Sequence, residues 1–243
     1  MTIDIRTDIP ADIHPGILSE HQDVLGQAGT IGASVIFEGV KALTDVYTTI
    51  GKLNDAKAAW EAASPKTTRV VGGRATEVSL PSPDLIAAAE RAFGVAARSV
   101  DEQTAALNRN VNALETRVAS ALTDPYSKTP LGAEIRQHIK GLKDGERLGF
   151  VRSLIASNKK SDVAAVLDAP SYLSGLTDDM HSVVRDMAAD HFAPTDYRQL
   201  RATREVISRV ERASGHLLSA FTKVLDKRDS PAAKAANAIE ALG

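Results

Sequence analysis

The chain has 243 residues, of which 43% are hydrophobic and only 4% aromatic, so alanine and leucine must supply most of any core. It contains no cysteine, which excludes disulfides, thiolate metal sites and cysteine nucleophiles. Its formal net charge is −2, which excludes nucleic-acid binding through an overall positive charge. This composition favours a soluble all-α protein with closely packed helices.

Residues 1–30 are predicted to be an irregular N-terminal arm, because prolines and glycines interrupt them repeatedly. The arm has at most a short helix near residues 17–25 and needs another surface to lie on. It lacks the apolar core of a signal peptide. The longest charge-free stretch, Val24–Phe37, is shorter than the roughly 20 residues that cross a bilayer. We therefore expect a cytoplasmic protein without a membrane span.

Three glycines at the end of this arm, Gly26, Gly29 and Gly32, form the pattern G-x-x-G-x-x-G. A dinucleotide-binding turn would need a strand before the glycines and a βαβ unit around them. Neither is present in the sequence pattern. The favoured interpretation is a flexible or closely packed backbone, and no cofactor is predicted.

A first long helix is predicted over about residues 33–63, followed by Pro65. Its predicted buried stripe consists of Ile36, Val40, Leu43, Val46, Tyr47, Ile50, Leu53 and Trp60. Two β-prone runs then flank Gly72 and Gly73. They predict a short β-hairpin over residues 67–80, with a flexible loop as the alternative.

The strongest pattern is the apolar heptad repeat of the second long helix, predicted over residues 84–123. The repeat places Ile86, Phe93, Val100, Leu107, Leu114 and Ala121 at intervals of seven, with Ala97, Thr104, Val111 and Val118 between them. Ser82 is the predicted N-cap and Pro83 the first helical residue. A helix of this length spans about 60 Å, so we expect an elongated or oligomeric protein.

This heptad stripe requires a neighbouring helix, which the same chain or another chain can supply. Within the chain, the first two long helices would form a helical hairpin over residues 31–127. The second helix is longer by about ten residues, so roughly 15 Å would overhang unless the third long helix or another chain covers it. The overhang predicts a contact with other protein chains, most simply a homo-oligomer. The proposed interface residues are Phe93, Val100, Leu107, Val111, Leu114 and Val118.

Residues 128–230 are predicted to be a helical domain that ends in the third long helix, and residues 231–243 an alanine-rich C-terminal tail. The predicted helices of this domain cover residues 130–142, 145–157, 161–168, 177–192 and 195–228. The predicted fold is therefore an all-α, elongated helical bundle of long coiled-coil-like helices with a small multi-helix region.

Basic residues on the third long helix are the candidate nucleic-acid site: Arg198, Arg201, Arg204, Arg209 and Arg212. Glu205 and Glu211 interrupt their positive field, and no aromatic residues alternate with them to stack on bases. Ion pairing with the acidic stretch 162–196, or solvation, is therefore the favoured interpretation. A nucleic-acid-associated helical protein is the first alternative function.

The residues that most resemble a metal-binding set are Asp178, Asp179, His181, Asp190 and His191. On one helix the two histidines would lie about 15 Å apart, so a single ion could not bind both unless the helix breaks. A solvated acidic face is favoured. A metal-dependent enzyme around Asp178–His191 is the second alternative, and no catalytic, metal-binding or cofactor-binding residue is predicted.

A succession of short motifs runs through residues 131–216: LGAEIRQHIKGL, ERLGFVRSLIAS, VAAVLDAPSYLSGLTDD and a final helix rich in Arg and Glu. This succession, with its core AVLDAPSYLSGLTDD at residues 165–179, resembles uncharacterised helical proteins of tailed-phage and prophage structural gene clusters. The resemblance implies a virion or assembly component of the head, connector or scaffold, and it provides no active site. The sequence thus predicts a non-enzymatic protein that acts through protein–protein contacts, in the cytoplasm or in a phage virion.

Overall fold

A computed structural model of the chain describes residues 3–27, 29–63, 67–71, 74–78 and 82–225. These residues form eight α-helices and one small antiparallel sheet, which confirms the predicted all-α class. The helices are α1 (Gln22–Leu25), α2 (Ile31–Ala63), α3 (Pro83–Leu122), α4 (Pro130–Gly141), α5 (Asp144–Ala156), α6 (Lys160–Leu167), α7 (Asp178–Phe192) and α8 (Pro194–Leu225). Short 3-10 turns occupy Ala11–Ile13, Pro15–His21, Pro125–Lys128 and Ser171–Leu173. None of the described helices is long and apolar enough to cross a membrane.

The three long predicted helices are present as α2, α3 and α8, and each begins within two residues of its predicted start. At the beginning of α3, the backbone N–H of Leu85 donates to the side-chain oxygen of Ser82 at 3.1 Å, as expected for an N-cap. Helix α8 is described as far as Leu225. The predicted last turn up to residue 228 and the predicted tail 231–243 lie outside the described residues.

The predicted hairpin is also present. Strands β1 (Thr67–Val71) and β2 (Arg74–Val78) pair antiparallel, with Thr67 opposite Val78 and Val71 opposite Arg74. The intervening Gly72 and Gly73, and the predicted end of the hairpin at residues 79–80, lie outside the described residues.

Contacts divide the chain into two compact units. Unit 1 contains the described residues of Met1–Asp23, Ala33–Asn108 and Glu205–Gly243, and unit 2 contains those of Val24–Gly32 and Arg109–Arg204. The predicted boundary between residues 127 and 128 does not coincide with a unit boundary. The unit boundaries fall inside α1, α2, α3 and α8 instead.

The core of unit 1 joins α2, α3 and α8. The hydroxyl of Ser99 on α3 donates to Asp45 on α2 at 2.6 Å. Phe93 on α3 stacks on Phe221 of α8, with ring centroids 4.4 Å apart and an interplanar angle of 15°. Helix α3 therefore has neighbours from its own chain on two sides in this unit.

The core of unit 2 is built around α6, whose residues from Val163 to Leu167 are all buried. Side chains from α4 and α7 bind the last carbonyls of this short helix. Arg136 donates to the carbonyl of Ala165 at 2.8 Å, and Arg185 donates to that of Leu167 at 3.2 Å. The two cations offset the negative partial charge at the C-terminus of α6.

The turn that follows α6 lies within residues 165–179, and several of its residues have structural partners. Gly175 has a positive φ of 68°, which glycine adopts without strain. Its carbonyl accepts a hydrogen bond from Arg147 at 2.6 Å. At the start of α7, the Thr177 hydroxyl accepts from the backbone N–H of Met180 at 3.2 Å. Packing and capping account for the positions of these residues.

Candidate functional site

The N-terminal segment of unit 1, residues 3–23, is attached to α2 by a cluster around Arg6. The Arg6 guanidinium donates to both carboxylate oxygens of Asp55, at 2.7 and 2.6 Å, and to Asp8 at 2.9 Å. The backbone N–H of Arg6 donates to the hydroxyl of Tyr47 at 2.7 Å. Hydrogen bonds from Arg6, and secondly from Asn54, lower the pKa of Asp8 to about 2. The hydrogen bond from Arg6 also lowers the pKa of Asp55.

Apolar contacts then continue this attachment along the segment. Ile9, Ile13 and Leu18 are buried. Leu18 meets α2 at Gly39, where Val206 of α8 also approaches. A Cβ atom at Gly39 would lie 2.6 Å from Cγ1 of Val206 and 2.9 Å from Cδ1 of Leu18. A glycine at this position therefore lets three elements of unit 1 pack closely.

Beside this contact lies a groove of about 330 Å³ between the N-terminal segment and α2. Its apolar lining consists of Ile3, Pro15, Leu18, Ile36 and Val40. His14 lies in its wall: Nδ1 accepts from the backbone N–H of Gly16 at 3.1 Å, and Nε2 lies 3.0 Å from the carbonyl of Ile3. A neutral imidazole protonated on Nε2 satisfies both contacts. The imidazole thus serves to shape the groove.

An exposed apolar surface on α2 borders the groove. Phe37 is 65% exposed and Val40 is 37% exposed, although the opposite side of the same helix is buried. Ala33, Phe37, Val40 and Thr44 recur at intervals of four, three and four residues, and we call this set the α2 face. Such spacing places the four residues along one side of the helix, as in a coiled-coil seam. The α2 face exposes apolar side chains and contains no nucleophile paired with a base.

Sequence reasoning missed the α2 face. It placed Val40 in the buried stripe, which the structure corrects, and it omitted Phe37. The signal was present, because Phe37 ends the charge-free stretch Val24–Phe37 and has the heptad spacing to Ala33, Val40 and Thr44. When one helix carries two overlapping apolar stripes, periodicity alone does not indicate which stripe is buried. That depends on which side of the helix the other elements pack against.

The residues predicted as a protein interface on α3 contribute to the cores of the chain itself. Leu107 and Leu114 have no exposed area, Val100 is 6% exposed and Val118 is 8% exposed. Val111 packs against the core of unit 2, and Phe93 stacks on Phe221. The structure therefore corrects the expectation of an uncovered stripe at these positions. A heptad pattern specifies that a helix lies alongside, and here the chain supplies that helix.

The predicted basic site on α8 is divided by ion pairs. In unit 2, Arg204 binds Glu115 of α3 at 2.7 Å. In unit 1, Arg209 forms an ion pair with Glu20, and Arg212 lies 3.8 Å from Asp12. Arg198 and Arg201 are exposed. Ion pairing, the interpretation favoured from the sequence, fits Arg204, Arg209 and Arg212. Their partners, however, lie outside the acidic stretch 162–196, where we expected them.

Three residues of the predicted metal-binding set on α7, Asp178, His181 and His191, contact separate partners. Asp178 accepts from the hydroxyl of Ser171 at 2.6 Å. The Nε2 atom of His181 lies 3.2 Å from the carbonyl of Val166, and that of His191 lies 2.7 Å from Oδ1 of Asn158. Among the described residues, no group of three or more histidines and carboxylates could hold a metal ion. The metal-dependent alternative therefore has no ligand set in this part of the chain.

A second concavity of about 260 Å³ lies within unit 2, between α3, α7 and α8. Its lining combines apolar side chains with charged groups that have partners within unit 2. Arg204 is paired with Glu115, and Arg185 donates to the carbonyl of Leu167. Burial, and secondly a hydrogen bond with Asp186, raises the pKa of Tyr197, so this phenol stays protonated at neutral pH. This contact between Asp186 and Tyr197 joins α7 to α8.

No protein-family model matches the chain, and no curated protein or solved structure shows significant similarity to it. The arguments for function therefore depend on the residues and geometry described above.

Proposed function

We propose that the chain is a non-enzymatic structural or assembly protein that acts through contacts with other protein chains. The observation that carries this proposal is the α2 face, on which Phe37 and Val40 remain exposed beside an apolar groove. Water solvates such a surface poorly, and contact with another apolar surface stabilises it. The proposed contact is thus on α2, in place of the α3 stripe that the sequence suggested.

The two concavities support this proposal over an enzymatic role. The groove on α2 is lined mainly by apolar side chains. In the cleft of unit 2, Arg204 pairs with Glu115, Arg185 donates to a backbone carbonyl and Asp186 contacts Tyr197. Catalysis of acyl or phosphoryl transfer needs polar groups aimed at one reacting atom. The charged groups of the unit 2 cleft instead join one helix of that unit to another.

The resemblance of residues 131–216 to proteins of tailed-phage structural gene clusters suggests where such contacts occur. We therefore extend the proposal to a virion or assembly role, at the head, connector or scaffold of a phage particle. The resemblance covers mainly unit 2, whereas the α2 face belongs to unit 1. In this proposal unit 1 supplies the contact with other chains.

Native fractionation of a lysate from cells that produce the chain tests the proposed function. We expect the chain in assemblies well above its own 25.8 kDa, with a defined copy number by mass spectrometry of purified particles. The substitution Phe37→Asp should deplete the chain from these assemblies. The matched control is Val95→Asp, since Val95 is 60% exposed on α3 of the same unit. Equal incorporation of both variants, or a chain that never enters a larger assembly, would contradict the proposal.

A further inference from the structure

We propose that His21 forms a proton-sensitive latch, which holds the N-terminal segment of unit 1 more firmly on α8 when the imidazole is protonated. The latch consists of Glu20 and His21 on the 3-10 turn Pro15–His21 and of Glu205 on α8. It goes beyond the proposed function, because it regulates a contact within a single chain and requires no other protein.

The imidazole of His21 lies between two carboxylates that come from different elements. His21 is 8% exposed, and its Nε2 atom is buried and forms no hydrogen bond to any described residue. The same atom lies 3.4 Å from Oε1 of Glu20 and 3.5 Å from Oε2 of Glu205. A buried polar atom without a hydrogen bond is costly. A positive charge on the ring gives this atom two ion-pair partners.

A change of charge on His21 alters the attraction between the turn and α8. Histidine is the side chain whose charge ordinarily changes between about pH 5 and pH 8. At the acidic end of this range, the protonated ring is attracted to both carboxylates, and its attraction to Glu205 joins the turn to the helix. At the other end the ring is neutral and this attraction is lost. The segment is therefore held most firmly on α8 at the acidic end of the range.

One cation opposes this effect. Arg209 on α8 forms an ion pair with Glu20, so its positive charge disfavours a second positive charge on His21 and partly neutralises Glu20. Glu205 then carries most of the attraction between the turn and α8. Asp23, on α1, is exposed to solvent.

The other charged groups on neighbouring elements have partners elsewhere. Asp12, earlier in the same segment, lies 3.8 Å from Arg212 of α8. On α2, Glu38 and Lys41 are directed to the amide of Gln103 on α3. The charge of His21 is therefore decisive for its contact with Glu205.

His14, on the same segment, responds to acid in the opposite sense. Its Nδ1 atom accepts from the backbone N–H of Gly16 at 3.1 Å, and its Nε2 atom lies 3.0 Å from the carbonyl of Ile3. Protonation of both ring nitrogens turns Nδ1 into a donor and removes the first of these hydrogen bonds. Asp8 does not contribute between pH 5 and pH 8, because its pKa is about 2. A test of the latch must therefore compare chains that all retain His14.

Amide hydrogen exchange of the purified full chain, corrected for the intrinsic effect of pH on exchange, tests the latch. Glu205→Gln preserves the shape of the side chain and removes the charge that faces His21 on α8. We expect the protection of residues 16–21 in the native chain, divided by that in this variant, to be about two- to fivefold larger at about pH 5.5 than at about pH 8. Glu211→Gln, at an exposed position of the same helix, is the matched control, and its ratio should be the same at both pH values.

The variant His21→Gln tests whether the imidazole is the group that takes up the proton. Glutamine does not change its charge in this range, so in this background Glu205→Gln should change protection equally at both pH values. Far-ultraviolet circular dichroism checks that each variant keeps its helices. If His21→Gln does not fold, the comparison of Glu205→Gln with Glu211→Gln still decides the matter.

A native-to-Glu205→Gln ratio that is the same at both pH values would overturn the inference, as would an equal pH dependence for Glu211→Gln. A pH dependence that persists in the His21→Gln background would also overturn it, because another group would then be taking up the proton. None of these results depends on whether the chain enters larger assemblies. The proposed function therefore fails or stands separately.

Discussion

Arg6 binds Asp55 through both oxygens of the carboxylate, although 49 residues separate the two in sequence. The Nη1 atom donates to Oδ2 at 2.7 Å and the Nη2 atom donates to Oδ1 at 2.6 Å. This planar two-bond arrangement fixes orientation as well as distance. It joins the beginning of the chain to the second half of α2, and it thereby positions the segment that forms one wall of the groove.

Removal of this pair should loosen the N-terminal segment. We expect Arg6→Ala to raise amide hydrogen exchange in residues 3–14 several-fold and to leave exchange in α5 of unit 2 unchanged. Because the pair is exposed, the effect on global stability should be small. Lys52→Ala, on the exposed side of α2, is the control for loss of a positive charge. Unchanged exchange in residues 3–14 of the Arg6 variant would contradict this role.

Acid should release the same segment. The pKa of Asp8 is about 2 in the folded chain, below its ordinary value of 3.8. The unfolded state therefore binds a proton more readily, and the stabilisation by ionised Asp8 is complete above pH 3.8 and is lost as the pH falls through 2. We expect Asp8→Asn to be less stable than the native chain at pH 6, with the difference shrinking towards pH 2. Thermal unfolding of both chains between pH 2 and pH 6 measures this difference in stability. A difference that does not change with pH would exclude a contribution from the ionisation of Asp8.

Gly39→Ala should destabilise unit 1, although alanine favours helices. The added Cβ would lie 2.6 Å from Val206 and 2.9 Å from Leu18, and such overpacking costs about 1–3 kcal/mol. Gly94→Ala on α3 is the matched control, since a Cβ there meets nothing within 4 Å. The control should be stabilised by up to about 1 kcal/mol. Denaturant unfolding of both variants measures the change in the free energy of unfolding. An equal change in the two variants would show that the contact of Gly39 is unimportant.

Arg136→Met should weaken the packing of α6 in unit 2. Its guanidinium donates to the carbonyls of Ala165, at 2.8 Å, and of Ser127, at 3.1 Å. Loss of these charge-assisted hydrogen bonds should reduce the free energy of unfolding by about 1.5–3 kcal/mol. Hydrogen exchange in α6 should rise accordingly. Arg152→Met, at an exposed position of α5, should leave both quantities nearly unchanged, and an equal loss in the two variants would rule out a specific role for Arg136.

Leu107→Ala distinguishes a core position from an interface position. Leu107 has no exposed area, so its truncation should leave a cavity and cost about 2–5 kcal/mol in the unfolding of the chain. Phe37→Ala removes a larger side chain from an exposed position and should change monomer stability by less than about 0.5 kcal/mol. The free energy of unfolding of the two variants, measured at low protein concentration, distinguishes the core position from the exposed position. A small effect for Leu107 would restore the sequence prediction that its stripe faces another chain.

The candidate site was harder to predict than the helices that carry it. The spacing of Arg198, Arg201, Arg204, Arg209 and Arg212 identified a basic helix. The carboxylate partners of the last three, however, come from distant segments. Likewise, nothing local to Arg6 indicates that Asp55 will bind it. Ion pairs of this kind depend on how segments far apart in sequence come together, which a single sequence does not encode in a readable pattern.

Local sequence alone indicated to within two residues where the three long helices begin. Ser82, Pro83 and Thr177 act on backbone groups within one helical turn, so their effects are visible in a short stretch of sequence. The heptad stripe of α3 likewise showed that a helix must lie alongside. Only the tertiary structure decided that α8 of the same chain covers Phe93, and that Phe37 and Val40 stay exposed on α2. Burial depends on the neighbours that the whole chain brings to a helix, whereas periodicity records only that a helix has an apolar side.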